Sequence, residues 1–313
     1  MIRRALPLAA LVVSSLACLP APPASAYAAA TCLGQPATIE ASAGVVTGTP
    51  GPDVIVATGA VTEVDSGTGD DAVCVVDATV PVMVVTRAGD DRVDASAAHI
   101  RIEAYLGFGA DTYLGGEQSD VVSTNGEEGP DTIATGAGRD FVVTSGQVAL
   151  DLGADDDDVL LTGVGPGSTV DLGDGRDQLE AAGRRTVRVD LGTGRVSIDG
   201  SAAPVLHAED VRVIARRARV VGDDGPNRVL AATCEADLAG EGGDDTLRDI
   251  SDSVRVPGRC LHHRVRVDGG AGDDFLRGSR GDDVLLGGAG DDTAVGARGS
   301  DRCVAEDRTS CER

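Results

Sequence analysis

Four aspartates, Asp274, Asp283, Asp292 and Asp301, stand nine residues apart near the C-terminus of this 313-residue chain. Each is the sixth residue of a glycine-rich nonamer: GGAGDDFLR from Gly269, GSRGDDVLL from Gly278, GGAGDDTAV from Gly287 and GARGSDRCV from Gly296. Carboxylates and exposed backbone carbonyls are hard oxygen donors, the type that Ca²⁺ takes in sets of roughly six to eight with flexible geometry. Glycine lets a turn aim its carbonyls inward, because positive φ carries no Cβ penalty. The chemistry to expect is therefore Ca²⁺ coordination. A sixth-position carboxylate reaches the carbonyls of a loop one coil away only when coils are stacked, so binding and folding become one equilibrium.

The same nonamer recurs upstream with a longer step. SGTGDDAVC at Ser66, TRAGDDRVD at Thr86, LGFGADTYL at Leu106 and GEEGPDTIA at Gly126 keep a constant 20-residue period and place Asp71, Asp91, Asp111 and Asp131 at position six. Between them, GGEQSDVVS at Gly115 and TGAGRDFVV at Thr135 put Asp120 and Asp140 on the opposite edge of what reads as a two-turn coil. LGADDDDVL at Leu152 and LGDGRDQLE at Leu172 add Asp157 and Asp177, and GEGGDDTLR at Gly240 adds Asp245. An early unit at Gly48 supplies Asp53; the units at Leu191 and Gly222 carry Val196 and Asn227 instead, so metal binding is expected to fade over 192–239. These thirteen aspartates from Asp71 to Asp301, Asp53 aside, are the candidate ligands.

Elements that could position them are short strands at the apolar end of each unit, such as Asp53–Val56 and Asp283–Leu286, with side chains alternating in and out. One coil alone buries almost nothing, so stability has to come from stacked neighbours. Composition agrees: 43 Gly, no Trp, three Phe and three Tyr are too few aromatics for an ordinary globular enzyme core. An all-β solenoid of about 14 coils, on the order of 65 to 70 Å long at one strand spacing per coil, is the expected architecture.

Arg3 and Arg4, the apolar run Leu8 to Leu19 and Ala24-Ser25-Ala26 read as a secretory signal over 1–26, with the mature chain starting at Tyr27. Cleavage removes two arginines from 27 basic residues and none of the 51 acids, so the charge becomes 25 − 51 = −26. Such self-repulsion calls for divalent cations as partners and excludes nucleic acid. No later segment is long and apolar enough for membrane insertion. Six cysteines remain, an even number suited to disulfides in an exported chain; closeness in sequence favours Cys32 with Cys74, Cys234 with Cys260 and Cys303 with Cys311. Without a CxxC spacing, zinc is not expected.

Catalysis finds no support: only His99, His207, His262 and His263 exist, with neither G-x-S-x-G nor H-E-x-x-H, and the chain is not expected to be an enzyme. Arg280-Gly281-Asp282 is repeat filler, and Arg212 to Arg219 reads as a strand with a basic solvent face.

On the nonamers quoted, over about 48–178 and 222–304, the chain resembles the hemolysin-type calcium-binding (RTX nonapeptide) repeat proteins. The resemblance implies a right-handed parallel β-roll or β-helix solenoid with several Ca²⁺ ions held in the Gly/Asp-rich turns by the sixth-position aspartates. It implies that Asp274 pairs with Asp292 and Asp283 with Asp301. Unlike the family's toxins, this chain has an N-terminal signal and no lysine to acylate, which argues against a cytolysin. A disulfide near the end could cap the last coil. The reading is a signal peptide at 1–26, a solenoid of 20-residue coils at 27–191, a weakly repetitive solenoid segment at 192–221 and a nonapeptide β-roll at 222–313. The expected function is a secreted, extracellular, Ca²⁺-stabilised repeat protein, with an adhesin or matrix rod as the alternative.

Overall fold

The computed structural model describes residues 30–124 and 129–312; the expected signal peptide and Tyr27 lie outside the described residues. The chain winds as a parallel β-solenoid of about 15 turns, without a helix among the described residues. Two strand ladders run its length. One contains Ala72–Ala78, Arg92–Asp94, Thr112–Leu114, Asp131–Ala134, Val148–Asp151 and Thr169–Asp171; the other contains Val82–Val85, Ile102–Leu106, Val121–Thr124, Phe141–Thr144, Asp158–Leu161 and Gln178–Ala182. Alternation along each strand sends one side chain per coil inward. In the first ladder Ile55, Val73, Val93, Tyr113, Ile133, Leu150 and Val170 stack in register, all fully buried. In the second, Val64, Val84, Ala104, Val122, Val142, Val159 and Leu179 do the same. Two apolar columns facing each other form the core.

Coil length is less uniform than the sequence reading expects. In register, Val54 stands beside Ala72 and Ala72 beside Arg92, an 18-residue step followed by a 20-residue one. Asp131 beside Val148 and Phe141 beside Asp158 mark a shorter, 17-residue coil. The 18-residue step returns at Asp210 to Arg228, is broken by a 29-residue coil from Thr246 to Phe275, and resumes at Phe275 to Thr293 and Val284 to Arg302.

Residues 192–221 require a correction. The nonamer at Leu191 is not a coil loop: Thr186–Asp190, Arg195–Ile198 and Ser201–Leu206 form an antiparallel meander spliced into the parallel ladder. Its outer strands continue the first ladder, Ser201–Leu206 beside Thr169–Asp171 and Thr186–Asp190 beside Arg217–Val221. Meanwhile the second ladder steps directly from Gln178 to Asp210, so the first is taller by two strand spacings, roughly 10 Å. The cause is turn chemistry. Asp190 caps the Thr193 N–H at 2.8 Å, and Asp199 (φ 52) with Gly200 (φ 109) supplies the two left-handed residues of a tight hairpin. Arg212 to Arg219 is likewise two strands, Asp210–Ile214 and Arg217–Val221, meeting at a corner.

The three disulfides are Cys32–Cys74, Cys234–Cys260 and Cys303–Cys311. The first ties the Thr31–Cys32 and Gln35–Pro36 hairpin onto the opening coils, and the last closes the final coil.

Candidate metal centre

Each nonamer loop links the two ladders, so the sixth-position residues fall into two stacks, one on each edge of the rod. Asp53, Asp71, Asp91, Asp111 and Asp131 precede first-ladder strands, as do Asp283 and Asp301 further along. Asp120, Asp140, Asp157, Asp177, Asp245, Asp274 and Asp292 precede second-ladder strands. Within a stack the contact is the same at every step: one carboxylate oxygen, Oδ1, accepts the backbone N–H of the sixth residue in the preceding coil. Asp53 N donates to Asp71 at 2.8 Å, Asp71 N to Asp91 at 2.8 Å, Asp91 N to Asp111 at 3.0 Å and Asp111 N to Asp131 at 3.1 Å. On the other edge Asp120 N reaches Asp140 at 2.7 Å, Asp140 N reaches Asp157 at 2.7 Å and Asp157 N reaches Asp177 at 2.8 Å. Downstream, Asp245 N donates to Asp274 at 2.9 Å, Asp274 N to Asp292 at 3.0 Å and Asp283 N to Asp301 at 2.9 Å.

Two members of this ladder carry no repeat motif. Glu209 accepts from Asp177 N at 2.8 Å and Glu306 from Asp292 N at 3.1 Å. Asn227 occupies a sixth position and donates its own N–H to Asp245 at 2.8 Å. A second, exposed ladder is built by fifth-position acids and runs the other way. Asp70 accepts from Asp90 N, Asp244 from Asp273 N, Asp273 from Asp291 N and Asp282 from Ser300 N, each at 2.9 Å. The first aspartate of each Gly-Asp-Asp triplet carries that signal in the amino acids, beside the sixth-position residue.

The other oxygen, Oδ2, decides what the loops can hold. It is buried without a hydrogen-bond partner in Asp71, Asp91, Asp111, Asp140, Asp157, Asp177, Asp245, Asp274, Asp292 and Asp301. Two of the remaining candidates differ. Asp120 Oδ2 accepts the buried Tyr113 hydroxyl at 2.7 Å, and Asp283 accepts Ser279 N at 2.5 Å and its hydroxyl at 3.0 Å.

Position one separates the loops further. In most upstream coils it carries a buried side chain, that of Ser66, Thr86, Leu106, Thr135, Leu152 or Leu172. In the C-terminal coils it is glycine, and the bare Cα leaves room. A Cβ on Gly269 would lie 2.2 Å from Asp274 Oδ2 and 2.4 Å from the Gly287 carbonyl oxygen of the next coil. On Gly240 it would lie 2.0 Å from Asp245 Oδ2 and 2.3 Å from Gly269 O; on Gly296, 2.4 Å from Asp301 Oδ2 and 2.2 Å from Ser310 O. Gly287 stands likewise 2.2 Å from Asp292 Oδ2. Carboxylate and carbonyl oxygens thus converge on one small space at Asp245, Asp274 and Asp301, and the Asp292 carboxylate has the same open neighbour. Among the described residues no three His, Cys, Asp or Glu side chains converge on a point, so a cation would draw on backbone carbonyls. That donor set suits a hard cation.

Charge points the same way. Burial, the largest cause, pushes Asp91, Asp157 and Asp245 up to about 7, and Asp111, Asp140, Asp177, Asp274 and Asp283 up to about 6, with stacked acids above and below adding to most of them. Burial also raises Asp71, Asp120, Asp131 and Asp301. The loops of these raised carboxyls therefore gain stability from a proton or a cation.

The family model of the RTX calcium-binding nonapeptide repeat matches residues 125–147 and 268–303, in 4 copies. The chain carries RTX calcium-binding nonapeptide repeats. Three of the four open loops, those of Asp274, Asp292 and Asp301, fall inside the second RTX match. No curated protein matches the chain by sequence.

Proposed function

We propose that the chain is a secreted calcium-binding rod whose RTX coils are stabilised by Ca²⁺ held between successive loops, and that its role is structural rather than catalytic. The observation carrying this reading is the set of buried, unpartnered Oδ2 atoms facing glycine Cα atoms at Asp245, Asp274, Asp292 and Asp301, with carbonyls of the next coil beside those of Asp245, Asp274 and Asp301. These carboxylates and the carbonyls of Gly269 and Gly287 would hold the ion, whose contribution is charge neutralisation between coils. Export is supported by the basic, apolar and A-x-A segments of 1–26 and by six cysteines joined in three disulfides. Use of the rod as an adhesin or matrix scaffold is the second reading, favoured by the meander at 186–206, which interrupts the repeat with a different surface.

The test is a circular-dichroism and calorimetric titration of the mature chain in chelator-treated buffer with Ca²⁺ and, separately, Mg²⁺. Ca²⁺ should raise the melting midpoint and release heat, and Mg²⁺, with its octahedral demand, should do far less. Unchanged melting and no heat of binding would reject the calcium reading.

A further inference from the structure

Few aromatic residues exist here, and two are spent on the surface together. The chain has three Tyr and three Phe. Tyr113 is buried in the core and Phe275 lies beneath the Arg248 guanidinium, 5.9 Å from it. Tyr105 and Phe108, by contrast, expose 42% and 45% of their surface and line the same trough of ≈ 400 Å³.

The fold builds this trough at a corner of the solenoid. Outward side chains of the second ladder, Asp65, Val85, Tyr105 and Ser123, follow one another in register up one wall. Third-position residues Thr68, Ala88 and Phe108 are bridged coil to coil along the other. Between the walls the chain turns through left-handed residues, Gly67 (φ 100) and Arg87 (φ 62). At Gly107 the coils stack so closely that a Cβ would lie 1.6 Å from Arg87 O. The corner is therefore concave and held by backbone contact. Its floor is apolar, from Val85, Ala88 and Leu106, and its rim is polar. Arg87 Nε donates to Asp65 Oδ1 at 2.6 Å and its Nη2 to Oδ2, while the Tyr105 hydroxyl donates to Glu103.

We propose that this corner binds a neutral hexopyranose oligosaccharide, its ring faces against Tyr105 and Phe108 and its hydroxyls on the polar lining residues Thr68, Arg87 and Ser123. Solvent-exposed rings on a rigid apolar floor with a few convergent polar groups suit a ligand with apolar faces and hydroxylated edges. Arg87, the charged residue of the lining, is already paired with Asp65, which leaves no free cation for uronic or sulfated sugars. This site uses none of the ladder aspartates and goes beyond the metal reading.

The test uses the full mature chain loaded with Ca²⁺, with cellohexaose, mannohexaose and maltohexaose as probes and polygalacturonate as the acidic comparison. Saturation-transfer NMR and calorimetry would follow wild type, Tyr105→Ala, Phe108→Ala, the double variant and Tyr105→Phe. At least one neutral hexaose should bind. Its affinity should fall about tenfold or more in the double variant, the loss expected for an aromatic anchor, and largely survive in Tyr105→Phe. Melting and Ca²⁺ stoichiometry should stay at wild-type values, because both rings are exposed. No neutral hexaose binding to wild type, binding unchanged in the double variant, or binding of polygalacturonate alone would overturn the proposal.

Discussion

Replacing Asp274 by Asn separates the two things its carboxylate does. Oδ1 accepts the Asp245 N–H at 2.9 Å, a bond that an asparagine oxygen can keep, whereas Oδ2 is buried with no partner and faces Gly287 O across the Gly269 Cα. Burial lifts the carboxyl to about 6 from 3.8. The folded state therefore binds the proton more tightly than the unfolded chain, and without a cation the raised group costs stability as pH rises. The cost is absent below the unfolded value and complete above the folded one. A shift of that size corresponds to about 3 kcal/mol at most near neutral pH. Water screening the loop from outside reduces this to about 1–2 kcal/mol.

Asp274→Asn should then be more stable than wild type in chelator by about 1–2 kcal/mol near pH 8, and indistinguishable from it near pH 4, where the carboxyl is protonated. Calcium reverses the order. A ligand at 100 times its dissociation constant adds about 2.7 kcal/mol to a protein that binds it, and the variant forgoes that at this loop. The assay is urea unfolding followed by circular dichroism, with chelator and with saturating Ca²⁺, at both pH values. A variant equally destabilised in both media would refute the reasoning, because Asp274 would then serve only to cap the Asp245 N–H.

Three further outcomes test neighbouring parts of the structure. Gly269→Ala introduces a Cβ 2.2 Å from Asp274 Oδ2 while keeping every acid, and calorimetry should show Ca²⁺ affinity at that loop reduced tenfold or more, about 1.4 kcal/mol; wild-type affinity would mean the ion lies elsewhere. Because Asp245 titrates at about 7 and Asp274 at about 6, Ca²⁺ binding should release protons near neutrality and weaken as pH falls through that range. Binding heats identical in buffers of different ionisation enthalpy would contradict it. Replacing Cys303 and Cys311 by Ser, which opens a link between residues 8 apart, should cost about 2 kcal/mol and raise amide exchange first in Arg302–Val304 and Asp307–Thr309; uniform exchange would show that the disulfide does not act as a cap.

The nine-residue phase, read with the coil that the family resemblance implies, makes the two edges legible from the amino acids: Asp274 stacks with Asp292, Asp283 with Asp301, and Asp120 lies opposite Asp111. It does not say which carboxylates keep a free oxygen. That depends on Tyr113 reaching Asp120 and on Ser279 reaching Asp283, contacts that arise only once the coil is closed. Position one carries a further signal in the amino acids, outside the aspartate pattern. Leu106, Leu152 and Leu172 are buried where Gly240, Gly269 and Gly287 stand in the later coils, so most upstream coils fill with side chain the space that the later ones leave open. The meander hides behind Leu191-Gly-Thr-Gly, which matches the repeat, although Asp199-Gly200 between two alternating runs is the stronger hairpin signal.

The glutamates explain how the ladder continues where the nonamer loop is missing. Where a nonamer loop presents its sixth residue the reaching side chain is aspartate whatever the coil length, as from Asp157 to Asp140 across 17 residues or from Asp274 to Asp245 across 29. The coil from Gln178 to Asp210 contains the meander and is far longer, and the coil from Thr293 to Asp307 is shorter than the coils before it. Neither leaves a nonamer loop to set the carboxylate close to its target. In both, glutamate stands at the site, and its extra methylene bridges to Asp177 N at 2.8 Å and Asp292 N at 3.1 Å. An N–H buried without a partner would cost about 1–3 kcal/mol, so the longer acid preserves the coil-to-coil bond where no nonamer loop stands. Glu306→Asp should therefore leave Asp292 N unpaired and loosen the last coil, although charge and residue class are unchanged. Amide exchange at Asp292 reads this directly: protection equal to wild type would show that the Glu306 carboxylate is not what holds that N–H.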